Sequence, residues 1–167
     1  VFEPRTRRYS VIVTERFDAL RLTVALARGL TLSVDGSPVA SDAPLDLPAT
    51  PDTTTELLVS NTEGHSATYS LVVLPPDFPD LVVNVHEPGS SSDPIYVALK
   101  SEETDYLAKL DANAVPLFYR ALERHGYDFK KHPGGELSYS TVETEAEGAV
   151  HTLLDADFAP VGTVQTE

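Results

Sequence analysis

The chain has 167 residues, room for one or two small domains with a real core. Twelve basic residues against 26 acidic ones give a net charge of −14, a balance that repels nucleic acid and anionic membrane surfaces. Cysteine is absent, which excludes disulfide staples, thiolate zinc sites and cysteine nucleophiles, and no apolar run approaches the roughly 20 residues of a membrane-spanning helix. Methionine is also absent, including at position 1, and no signal pattern opens the chain. The sequence therefore reads as a segment of something longer.

Three early runs alternate with period two. Tyr9, Val11 and Val13 face one way within Tyr9 to Thr14. Leu20, Leu22, Val24 and Leu26 repeat the pattern, with Arg21 and Thr23 opposite. Leu30, Leu32 and Val34 follow and end in Asp35-Gly36. Period two, β-branched residues and an Asp-Gly turn predict strands and a hairpin. A helix over 18 to 28 competes, but the alternation through Thr23 and Val24 argues against it. Residues 38 to 52 contain Pro38, Pro44, Pro48 and Pro51, which predicts a surface loop with at most a short edge strand. Strands are expected over Thr55 to Ser60 and Ala67 to Leu74, joined by an Asn61 to Gly64 turn. Short strands at this spacing suggest a small β-sandwich, closed by a stiff boundary at Pro75, Pro76 and Pro79.

A second unit begins near Leu81. Leu81 to Val85 and Ile95 to Leu99 read as strands around a Gly89 to Asp93 loop. The stretch 101 to 125 is two-sided. Ser101 with Glu102 and Glu103 would cap a helix, but Pro116 would interrupt it, and Asp111-Ala-Asn113 is a turn signature. Two strands, Tyr106 to Leu110 and Val115 to Arg120, are favoured. Next come Tyr127 to Lys130, a His132-Pro-Gly-Gly135 turn, Leu137 to Thr141, a charged loop through Gly148, Val150 to Leu154, and Pro160 to Thr166.

Candidate chemistry is sparse. Five histidines stand at 65, 86, 125, 132 and 151. An imidazole attacks or relays a proton only with a base or orienting partner in reach. No pair has the spacing His-x-x-x-His; His125 and His132 are seven apart across a turn. Asp111 with Asn113, and Asp155 with Asp157, offer oxygens to calcium, but lack the glycine and distal glutamate of an EF-hand. As turn formers they would bond the backbone instead. The run Glu143 to Glu147 reads as a solvated loop. Lys130, Lys131 and His132 form a basic cluster, able to meet a sulfate but more often a solubility feature. There is no nucleophile elbow, phosphate-binding glycine loop or dinucleotide fingerprint.

The second unit repeats one phrase. Asp111-Ala-Asn113 leads into the aromatic strand Leu117-Phe-Tyr-Arg120. Tyr127-Asp-Phe-Lys130 follows, then Pro133-Gly-Gly-Glu-Leu-Ser-Tyr139, then Leu154-Asp-Ala-Asp-Phe158 with Val161 to Val164. Strand, Asp-x-Asn/Asp turn, strand, Pro-x-Gly turn, strand is the grammar of propeller blades. This order resembles the opening blades of the arylsulfotransferase family, and the first 75 or so residues resemble the small cadherin-like sandwich preceding that propeller. The chain departs from the family at Ala114, where glycine is usual, and at Phe118 and Tyr119, where tryptophan is common.

The resemblance implies an all-β fold: a sandwich over 1–78, then the first blades of an incomplete propeller over 79–167. It implies a parent that moves a sulfuryl group from an aryl sulfate to a phenol through a sulfo-histidine. It also implies an extracellular or periplasmic location, and the remaining blades as partners. A blade takes about 40 to 50 residues, so residues 81 to 167 supply about two and close no ring. The family's histidines and arginine belong to later blades, so no catalytic, cofactor or metal residue is carried onto this chain. By itself it is expected to be inactive. The competing reading is an exported, non-enzymatic binding or adhesion module; a lactonase or dehydrogenase propeller is a further one.

Overall fold

The computed structural model describes residues 5–14, 17–84, 93–142 and 148–165. Among them the chain is all strand and turn, with no helix. It divides into two compact units that meet in sequence at Pro76 and Asp77.

The first unit has seven strands: β1 (Arg8–Ile12), β2 (Ala19–Thr23), β3 (Leu30–Val34), β4 (Ser37–Val39), β5 (Pro44–Pro48), β6 (Thr54–Asn61) and β7 (Ser66–Leu74). Five of them form one sheet in the order β1-β7-β6-β3-β4, with β1 parallel to β7. β2 and β5 form a separate antiparallel pair. Leucines from that pair, Leu20, Leu22, Leu45 and Leu47, pack with Leu32, Val34, Leu57 and Leu71 of the larger sheet. Alternation thus places the apolar face of each strand in a shared interior. The β3–β4 hairpin turns at Asp35 and Gly36, with φ of 46° and 81°, the left-handed pair that a two-residue hairpin turn requires.

The stretch 38 to 52 corrects the loop expectation. It contains Pro38 and Val39 of β4 and all of β5, and Leu47 and Ala49 are core residues. The prolines misled because their place in the ladder is not visible in composition. Ala49 N donates to Asp18 O, so residues 18, 20 and 22 face β5 with their backbone groups. Pro44 and Pro48 pair opposite Thr23 and Ala19, the alternate positions, where an N–H would point away from β2. Their missing donors cost the ladder nothing. The second predicted strand is also trimmed. β2 ends at Thr23, and Val24 and Leu26 continue in non-strand backbone while still packing on the core.

The second unit has β8 (Ile95–Leu99), β9 (Asp105–Leu110), β10 (Pro116–Leu122), β11 (Gly126–Lys131), β12 (Leu137–Val142), β13 (Ala149–Leu154) and β14 (Pro160–Gln165). They make a three-stranded sheet, β10-β9-β8, and a four-stranded meander, β11-β12-β13-β14. Neither sheet is closed. β11 lies beside β8, and Leu107, Phe129, Leu137 and Leu154 form the core between the sheets. On the other face of the first sheet, Phe78 packs on Tyr106 and Tyr119 with ring centroids 5.0 and 5.2 Å away.

Stretch 101 to 125 contains β9 and β10 rather than a helix. Ser101 Oγ accepts from the N–H of Glu103 and Thr104 and donates to Thr104 O, a local turn that competes with helix. The expected strand from Leu81 is absent through Asn84. Val82 is 71% exposed, and no described strand pairs with this run, so its β-branched residues have no ladder to join. Val85, His86, most of the Gly89 to Asp93 loop and the Glu143 to Glu147 run lie outside the described residues.

Among the described residues, one turn recurs four times. It starts at Asn61, Asp111, His132 and Asp155. In each, the first N–H donates to the carbonyl four residues on, and the fourth residue's N–H donates back to the first carbonyl. The fourth residue has positive φ every time: Gly64, Ala114, Gly135 and Phe158. This is a type I turn closed by a bulge in the left-handed region. At Asn61, Asp111 and Asp155 the side-chain Oδ1 also accepts two N–H groups of the turn.

Candidate functional site

Three of the histidines meet a polar partner in the second unit. His125 Nδ1 lies 3.1 Å from Asp105 Oδ2, which also accepts from Gly126 N. The Asp105 carboxylate is buried, at 4% exposure, while His125 is 73% exposed. The β10–β11 turn that carries His125 is thereby tied to the start of β9. His132 Nε2 lies 2.7 Å from Ser138 Oγ, and His151 Nδ1 lies 2.8 Å from Ser140 Oγ. Both serines are buried on one face of β12, and Ser140 stands directly opposite His151 in the ladder.

These pairs are parts of nucleophilic machinery without its assembly. Among the described residues, neither Ser–His pair is hydrogen-bonded to a carboxylate, and the Asp–His pair engages no hydroxyl. A triad needs nucleophile, base and orienting acid in one chain of contacts. His65 is exposed in the Asn61 turn, 3.6 Å from Glu63.

The carboxylates weighed for calcium are spent on the backbone. Asp111 and Asp155 each bond two turn N–H groups, and no group of three metal-ligating side chains occurs among the described residues. In the basic cluster, Lys130 pairs with Asp128 and His132 with Ser138, so it presents no convergent anion site.

Two features were not visible in the sequence. The first is an aromatic and cationic cluster around Phe158. Phe118 and Phe158 stack at 3.9 Å, 9° from parallel. Lys109 Nζ sits 5.7 Å from the Phe158 ring, and the Arg120 guanidinium 5.8 Å from Tyr139. Arg120 Nη1 donates to Phe158 O at 3.0 Å, while its Nη2 is buried without a partner. Only the pairing of β9 with β10 and the Asp155 turn bring these residues together. Elsewhere in the second unit, Asp77 accepts from Tyr106 Oη at 2.7 Å. Its carboxyl lies below its ordinary range, chiefly through a hydrogen bond from the Thr104 side chain, with burial opposing and Tyr106 assisting.

The second feature is an apolar groove of about 720 Å³ inside the first unit. Leu22 to Ala27 line one wall, and Leu57, Val59, Tyr69 and Leu71 line the facing sheet. No residue of β5 and no carboxylate lines it. It meets β2 only at its end, at Leu22 and Thr23. Arg7 stands at its rim, its guanidinium 4.6 Å from the Tyr69 ring.

No helix among the described residues is long and apolar enough to cross a membrane. The chain matches no protein-family model and no curated protein. Among solved structures it is similar to SGBP-B of the Bacteroides ovatus mixed-linkage glucan utilization locus, in complex with a mixed-linkage heptasaccharide. Identity is 16%, and the match covers 99% of this chain and 45% of that one, with a TM-score of 0.29. The chain spans under half the length of that structure. A superposition that loose assigns neither a fold family nor a ligand to this chain.

Proposed function

We propose that this chain is the opening part of an arylsulfotransferase-like protein: a β-sandwich followed by the first blades of a propeller whose complete form transfers a sulfuryl group from an aryl sulfate to a phenol. The observation that supports this reading is the recurring turn of the second unit. Asp111 and Asp155 build the same turn with the same four hydrogen bonds, on separate sheets, at the positions the family phrase assigns to successive blades. The meander order of β11 to β14 and the neighbouring placement of β8 and β11 suit blades set side by side. An exported location, with aryl sulfate and phenolic acceptor as small-molecule partners, belongs to the same proposal.

The chain by itself is proposed to be inactive. Sulfuryl transfer needs an activated nucleophile in a water-poor pocket, with cations at the departing oxygens. Among the described residues, the histidines sit in separate pairs. Incubation of the 167-residue chain with 4-nitrophenyl sulfate and phenol should release no nitrophenolate above background. A longer chain that adds further blades after Glu167 should turn over. An inert longer chain would overturn the transferase reading in favour of a binding module. Turnover by the short chain, lost in His125→Ala or His151→Ala, would overturn the claim that it is inactive.

A further inference from the structure

The first unit has two sheets of unequal width, five strands against two. Among the described residues, the two-stranded sheet therefore has two outer edges, and they are not alike. The outer edge of β5 is blunted. Pro44 and Pro48 occupy the positions whose N–H groups would face outward, so that edge lacks donors there. The outer edge of β2 carries no proline. By the same alternation, the N–H and C=O groups of Ala19, Arg21 and Thr23 point away from β5, and no described strand pairs with them.

The apolar groove meets this edge at Thr23 and continues beside the run 24–27 that follows β2. Its floor, from Leu57, Val59, Tyr69 and Leu71, is half-buried rather than covered. An open ladder edge next to an apolar floor has the two requirements of strand addition. Main-chain groups supply the pairing, and apolar pockets receive alternate side chains. A purely apolar ligand would leave the β2 backbone groups unused. The rim charge adds direction. No carboxylate lines the groove, Arg7 stands over Tyr69 at its rim, and Arg28 follows Ala27 at the end of the wall formed by residues 22–27.

We propose that the first unit binds an extended peptide as an added strand along β2, with alternate apolar side chains entering the groove and an acidic residue meeting Arg7. This inference stands apart from the sulfuryl-transfer reading and holds or fails without it.

The test uses the whole chain and a fluorescein-labelled peptide of about seven residues, alternating valine and threonine and ending in glutamate. Fluorescence anisotropy should show saturable binding that weakens as salt is raised. Thr23→Pro removes a donor from the open edge without touching the β5 pairing, and should weaken binding about tenfold or more. Its melting temperature and circular dichroism report whether it folds. Should it not fold, Arg7→Glu decides: Arg7 is exposed, and reversing its charge should also weaken binding. Equal affinity for folded Thr23→Pro, or for Arg7→Glu, overturns the proposal. So does uptake of dodecanoate with no peptide binding, which would give the groove to an acyl chain.

Discussion

Ala114 holds φ at 60° in a turn where Gly64 and Gly135 fill the equivalent place. The left-handed region costs an ordinary residue about 1 kcal/mol, and glycine removes that cost while adding freedom to the unfolded chain. Ala114→Gly should therefore raise stability by roughly 0.5 kcal/mol, read as a higher urea midpoint. Phe158 has the same strained backbone, at φ 64°, but its ring stacks on Phe118. Phe158→Gly should lower the midpoint, because the lost stack outweighs the relieved strain. Opposite signs at two geometrically equivalent positions are the prediction; a gain at both would mean that the stack contributes little. Asp77 is the second residue-scale case. Its carboxyl lies below the ordinary value near 4 through its hydrogen bonds from Thr104 and Tyr106. A depressed carboxyl contributes stability that is full above its unfolded value and is lost as pH falls through its folded one. Asp77→Asn should therefore flatten the fall in urea midpoint below about pH 4 and leave the slope near pH 7 unchanged. An unaltered acid limb would assign that limb to other carboxylates. Asp46, also lowered by Arg21, is exposed, so solvent screens its contribution.

At the scale of elements, β5 separates packing from appearance. Leu47 is 4% exposed among Leu32 and Val34. Leu47→Ala should cost about 2 to 4 kcal/mol, measured by denaturation, whereas a residue in a surface loop would cost under about 0.5. The strand was illegible because composition registers prolines but not ladder parity. By contrast, β3 and β8 were legible to the residue. Leu30 to Val34 alternates up to an Asp-Gly turn, and Ile95 to Leu99 is a compact β-branched and aromatic run. The Leu81 run shows the converse limit. β-propensity describes a fit to a pleated surface, and without a partner strand it specifies nothing. The candidate sites were less legible still. Each histidine could be listed, but the Ser138, Ser140 and Asp105 partners depend on cross-strand register. The Arg120 cluster and the groove at the end of β2 depend on which strands pair. The turn residues Asp111, Asn113, Asp155 and Asp157 were legible as turn formers because their hydrogen bonds are local.

At the scale of the whole molecule, the charge is unevenly divided. Residues 1 to 76 carry six arginines against nine carboxylates, net −3. Residues 77 to 167 carry six basic side chains against seventeen carboxylates, net −11. Together these make the −14 of the chain. Repulsion grows with the square of like charge at similar size, so self-repulsion should be concentrated in the second unit. Salt screens it over about 8 Å at ~0.15 M. The melting temperature should therefore rise as sodium chloride is added from low ionic strength, then level off once the Debye length falls below the spacing of the carboxylates. Amide hydrogen exchange should locate the effect. Opening in β8 to β14 should slow more with salt than opening in β1 to β7, because local stability is reported segment by segment. The exposed strand β14 and the neighbouring turn of Asp155 and Asp157 should respond with the rest of the second unit. A uniform slowing across both units would point to a general salt effect on apolar burial instead, which follows buried area rather than charge. A flat response would mean that the seventeen carboxylates of the second unit are spaced too widely to repel one another.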